Sequence, residues 1–80
     1  MKFESNNMVI VDRGRKLEER SAILIENGIY KGYCFFDLNY QINNIEVLKN
    51  ILIPMQNNRD TRNIIQSFLR KNKVMRVLKF

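Results

Sequence analysis

Short apolar runs separated by polar turns set the pattern of this chain, and the period of the pattern changes near residue 43 and again after the second helix. Before the first change, Met8–Val11 is an apolar run that ends at Asp12-Arg13-Gly14 and predicts a first strand. The stretch Asp12–Arg20 mixes charges of both signs around Gly14 and predicts a solvated loop. Ser21–Glu26 and Ile29–Asp37 are rich in β-branched and aromatic residues. They flank Asn27-Gly28, the pair that best tolerates the positive φ angles of a type I′ turn, so a β-hairpin is expected.

A two-residue turn would set Glu26 opposite Ile29, Ile25 opposite Tyr30 and Ile23 opposite Gly32. One hairpin face then carries Ile23, Ile25, Tyr30, Cys34 and Phe36, and this is the expected core face. The other carries Leu24, Lys31, Tyr33 and Phe35, with Glu26 near the turn. Gly32 opposite Ile23 would leave room for a neighbouring side chain or a close-packed helix.

Beyond the polar connector Leu38–Asn43 the spacing turns helical. Asn43 is the expected N-cap, with Glu46 three residues on, and Ile45, Leu48 and Leu52 mark a short helix that stops before Pro54. A second helix is predicted from near Asn57 or Asn58 to about Lys71, with Asp60 in its first turn, where a negative charge suits the helix dipole. At about 100° per residue, Ile64, Ile65, Phe68 and Leu69 share one arc, and Arg59, Arg62, Gln66 and Arg70 share the opposite one. Val74–Phe80 is short, branched and apolar with two cations, and predicts a strand returning to the hairpin sheet. The fold class is α+β. A small antiparallel sheet of three N-terminal strands, hairpin included, and one C-terminal strand packs with two helices in a single domain over residues 1–80.

Charge divides this pattern unevenly. Thr61–Phe80 holds six basic residues and no acid, whereas Met1–Asp60 holds eight of each sign, so the whole net charge of +6 lies in the last twenty residues. A cationic end on a small domain favours polyanions such as nucleic acid. The apolar runs are far shorter than the roughly 20 residues that span a bilayer, and no membrane helix is expected. The first residues, with one early lysine and no apolar run before a cleavage site, do not predict a secretory signal. The single cysteine, Cys34, allows no internal disulfide and suits a reducing cytoplasm.

The reactive inventory is sparse. With no histidine, nucleophilic triads and cysteine–histidine zinc sites cannot be assembled within this chain. The carboxylates Glu4, Asp12, Glu18, Glu19, Glu26, Asp37, Glu46 and Asp60 show no recurring spacing that would gather a divalent cation, and Gly14, Gly28 and Gly32 match no phosphate-binding loop. No cofactor, metal or catalytic residue is expected. Cys34 is expected to be buried, and Tyr33 and Phe35 to be core aromatics, with a base-stacking platform as the alternative. The candidate site is the basic face and end of the second helix: Arg59, Arg62, Arg70, Lys71 and Lys73 as phosphate contacts, against an ordinary solvated helix face as the bland reading.

One resemblance adds context. Gly14-Arg15, Glu19-Arg20-Ser21 leading into Ile23–Gly28, Gly32-Tyr33, and Asn58–Leu69 ahead of the closing lysine and phenylalanine resemble the C-terminal region of certain bacterial nucleases. Those proteins join an exonuclease like the epsilon subunit of DNA polymerase III to a GIY-YIG domain like that of the bacterial repair excinuclease. The likeness covers Asp12–Phe80 and carries no catalytic motif: Gly28-Ile29-Tyr30 spells only half of the GIY-YIG signature, and Gly28 already serves the turn. The resemblance implies a fragment of a longer DNA repair or proofreading enzyme, with the active sites upstream, although a free-standing small protein is also compatible with the residues. The expected function is a non-catalytic accessory domain that binds DNA backbone or docks the nuclease domains. The alternative is a protein-interaction or dimerisation domain that recruits another protein or a second copy by edge pairing of the hairpin or the terminal strand.

Overall fold

The computed structural model describes residues 5–40, 42, 44–71 and 74–80 of the chain. Its elements are β1 (Met8–Arg13), β2 (Glu19–Glu26), β3 (Ile29–Asp37), α1 (Ile45–Ile51), β4 (Ile53–Pro54), α2 (Arg59–Lys71) and β5 (Arg76–Lys79). The strands form one antiparallel sheet in the order β4-β3-β2-β1-β5, so the α+β class holds, with a two-residue strand beyond those expected. The terminal strand joins the sheet through β1.

The Asn27-Gly28 turn forms as its residues demand, with φ of 55° and 75°. Asn7 and Asn6 hold it from outside, through Asn27 N–H to Asn7 Oδ1 at 2.9 Å and Gly28 N–H to the Asn6 carbonyl at 2.8 Å. Glu26 pairs with Ile29 and Ile25 with Tyr30, but the register then slips. Lys31 is the extra residue of a β-bulge, so Leu24, not Ile23, faces Gly32, and Ile23 faces Tyr33.

That single bulge exchanges the faces of the outer half of β3. Tyr33 and Phe35 share a face with Ile23 and Ile25, while Cys34 and Phe36 lie with Ala22 and Leu24, the reverse of the expected division. Both faces are core. Met8, Ile10, Ile25 and Tyr30 pack with Ile65 of α2 on one side. Val9, Ala22, Leu24 and Cys34 pack with Leu48 of α1 on the other. The sheet is thus a middle layer with one helix on each face.

Gly32 does not make room for a helix or a side chain. Its φ of 148° and missing Cβ admit the backbone of β4, whose Ile53 carbonyl lies against it. Beyond the connector, α1 is capped by Asn44, whose side chain accepts the Val47 N–H at 3.1 Å, and not by Asn43, which lies outside the described residues. The helix ends ahead of Pro54 as its sequence predicts. A reciprocal pair caps α2: Thr61 N–H donates to Asn58 Oδ1 at 2.9 Å, and Asn58 N–H to Thr61 Oγ1 at 3.0 Å. Asn57 accepts the Tyr30 N–H at 3.1 Å and so ties the start of α2 to β3 just ahead of the bulge.

Candidate nucleic-acid interface

The second helix seats itself by Ile65, which is buried, and Leu69, which is half-buried against the same core. Ile64 is 67% exposed and takes no part in the packing stripe expected of it. The stripe that packs is therefore centred between Ile65 and Leu69. At about 100° per residue, Arg59, Arg62 and Arg70 then fall along one flank of the helix, and only partly on its crown. Arg62 is nearest the sheet and half-buried; Arg59 and Arg70 are exposed. From Arg59 to Arg70 the row runs about 16 Å along the helix axis.

None of the ion pairs among the described residues engages Arg59, Arg62 or Arg70. Two cations earlier in the chain, Lys49 and Arg15, differ. Lys49 donates to Glu26 at 2.8 Å, which raises its pKa, and Arg15 is clamped by Glu19. Of the remaining expected phosphate contacts, Lys71 is the last residue of α2, while its side chain, that of Phe68, and Lys73 lie outside the described residues.

The aromatic alternative is altered by a cluster within the stretch that its mixed charges predict to be a solvated loop. Glu19 is buried at the start of β2. It accepts the Arg15 backbone N–H at 2.8 Å and the guanidinium through Nε at 2.9 Å and Nη2 at 2.8 Å. Those hydrogen bonds from Arg15 hold the Glu19 carboxyl down at about 2 and raise the guanidinium in turn. The clamped guanidinium lies 4.1 Å from the centre of the Phe35 ring, and Tyr33 meets Phe35 edge-on at 5.9 Å. Both rings are half-buried, and one face of Phe35 is already covered by a cation.

The remaining reactive groups are placed quietly. Cys34 is buried, and desolvation pushes its thiol up and away from the reactive thiolate. Gly28-Ile29-Tyr30 is a turn glycine, an exposed isoleucine and a buried tyrosine. Among the described residues, no three acids or thiols converge on a point that would hold a metal ion, and no helix is long and apolar enough to cross a membrane.

A second basic concentration is invisible in the linear sequence. Arg13 pairs directly with Arg20 across β1 and β2, and Arg76 of β5 pairs with Val11, two residues from Arg13 on the same face of the sheet. Its signal lies in the register alone, because the charges of Asp12–Arg20 nearly balance in sum. No family model, no curated protein and no solved structure matches this chain.

Proposed function

We propose that this domain is a non-catalytic accessory module of a bacterial DNA repair or proofreading nuclease, holding nucleic-acid backbone along the flank of α2. The observation that carries the reading is the row Arg59, Arg62 and Arg70, three guanidiniums on one flank of a capped helix that no acid pairs with among the described residues. Guanidiniums spread over about 16 Å meet successive phosphates, which orients a duplex or strand without reading its bases. Such contacts suit a module that positions substrate for chemistry done in adjoining domains. The likeness of Asp12–Phe80 to the C-terminal region of the fused exonuclease and GIY-YIG proteins supports that context and a cytoplasmic setting.

Fluorescence anisotropy with a short labelled duplex and the matching single strand tests the reading. Binding at low salt that weakens steeply as salt rises, with at least about a tenfold loss in the Arg62→Glu, Arg70→Glu double variant, is the expected result. Absence of binding at low salt, or an unchanged affinity in the double variant, would overturn it.

A further inference from the structure

The free edge of the sheet carries a pattern of its own. In β5, Arg76 and Leu78 lie on the α1 face and Val77 and Lys79 on the α2 face, as their pairing with Val11, Val9, Ile10 and Met8 requires. The Phe80 N–H donates to the Asn7 carbonyl at 3.1 Å, which makes Phe80 and Asn7 a hydrogen-bonded pair in the β1 ladder. By the alternation of an antiparallel ladder, Arg76 and Leu78 also turn their backbone groups to β1, and Val77 and Lys79 turn theirs outward. Among the described residues no strand pairs with that outer edge. All four β5 residues are exposed.

Beside this edge, α1 is too short to cover its face of the sheet. An open groove of about 380 Å³ remains, lined by Val9, Val11, Leu78 and Phe80, with Arg20 and Arg76 as its charged members and no acid in its wall. The rim is electrostatically unbalanced. Arg13 and Arg20 oppose each other directly, an arrangement that like charges make unfavourable, and Arg76 stands on the same face one position along. Nothing on the basic rim favours a cation, and the half-exposed Leu78 and Phe80 favour an apolar side chain.

We propose that β5 is a docking edge for an extended, acidic segment of a partner protein, which adds to the sheet as a sixth strand with the pattern acid, apolar, apolar, acid opposite Arg76, Val77, Leu78 and Lys79. The first acid meets Arg76, and the third residue, opposite Leu78, fills the mouth of the groove. A second copy of this chain does not fit. Antiparallel self-pairing of the outward-facing edges sets Val77 against Val77 or against Lys79, and neither register offers Arg76 or Lys79 an acid from the other copy's β5, between chains that each carry +6.

The test is anisotropy of the full chain with a short fluorescent peptide centred on Glu-Val-Ile-Glu, compared with the same peptide centred on Lys-Val-Ile-Lys. The acidic peptide is expected to bind at least about tenfold more tightly, and Arg76→Glu to invert that preference. Val77→Pro removes an outward N–H while leaving the β1 ladder intact, and should abolish binding of either peptide with an unchanged circular dichroism spectrum. Arg62→Glu, Arg70→Glu should leave peptide binding unaltered, so this surface stands or falls apart from the helix row. Equal binding of the two peptides, binding indifferent to Val77→Pro in the folded variant, displacement of the peptide by an oligonucleotide, or self-association lost in Val77→Pro would each overturn the proposal. The charge inversion by Arg76→Glu decides the matter even where the proline variant fails to fold.

Discussion

The carbonyl of Ile53 lies against Gly32 in the space that any Cβ on residue 32 would need. Gly32 holds a φ of 148°, so a side chain there is strained by its own backbone before it meets β4. Gly32→Ala is expected to cost about 2–4 kcal/mol, through backbone strain and loss of the β3–β4 pairing. At this size each kcal/mol lowers the melting temperature by roughly 4–8 °C. A melt within a degree of the parent would show that β4 does not hold this position.

Glu19 gives the domain an acid-sensitive contact. Its folded carboxyl titrates at about 2 against an ordinary value of 4.5, so its clamp on Arg15 contributes fully above pH 4.5, declines between 4.5 and 2, and is gone below 2. Glu19→Gln is therefore expected to melt earlier than the parent near neutrality, with the gap closing as pH falls toward 2. Melting curves taken across that range check it; a gap independent of pH would rule out the charged clamp.

The helices make unequal use of their leucines and isoleucines. Leu48 is the fully buried residue of α1 and joins it to Val9, Ala22, Leu24 and Cys34, so Leu48→Ala is expected to cost about 2–5 kcal/mol. Domains of this size have roughly 4–12 kcal/mol in total. Ile64→Ala, at a position 67% exposed, should stay within about 0.5 kcal/mol of the parent. Urea titrations of the pair check both, and equal losses would mean that α2 is rotated from the orientation described.

The helix row makes a quantitative statement about salt. If Arg59, Arg62 and Arg70 each meet one phosphate, replacing any one by alanine should reduce the slope of log affinity against log salt by about 0.9 for duplex DNA. Lys31, the exposed residue of the bulge, lies on another element and its alanine variant should keep the parent slope. Slopes measured across a salt series distinguish specific contacts from a diffuse attraction of the +6 chain, in which all four variants would change alike.

Local chemistry is legible in the sequence, and consequences of register are not. Asn27-Gly28 marks its turn because few other pairs adopt those angles, and the break before Pro54 follows from the ring itself. The bulge at Lys31 has no such mark. Gly32 is compatible with a regular strand and with a bulge, and only the approach of Ile53 from outside the hairpin decides between them. Every face assignment beyond residue 31 depends on that choice, which is why Phe35 and Phe36 exchange sides. Glu19 is obscured for another reason: a mixed run of charges resembles a solvated loop until the Arg15 backbone and guanidinium are brought onto one carboxylate. The arginine row of α2 is visible from periodicity, but its position on the flank depends on Ile64 being left outside the core.

The pairing of Met8 with Lys79 joins residues about seventy positions apart, and β1–β5 is the longest-range ladder among the described strands. Closing so large a loop is entropically the most demanding step in assembling the sheet, so β5 is the strand expected to add last and to open first in native-state hydrogen exchange. Any partner that uses this edge would therefore sense completion of the fold, binding chains whose β1 and β2 are already in place and stabilising the one ladder that chain connectivity protects least.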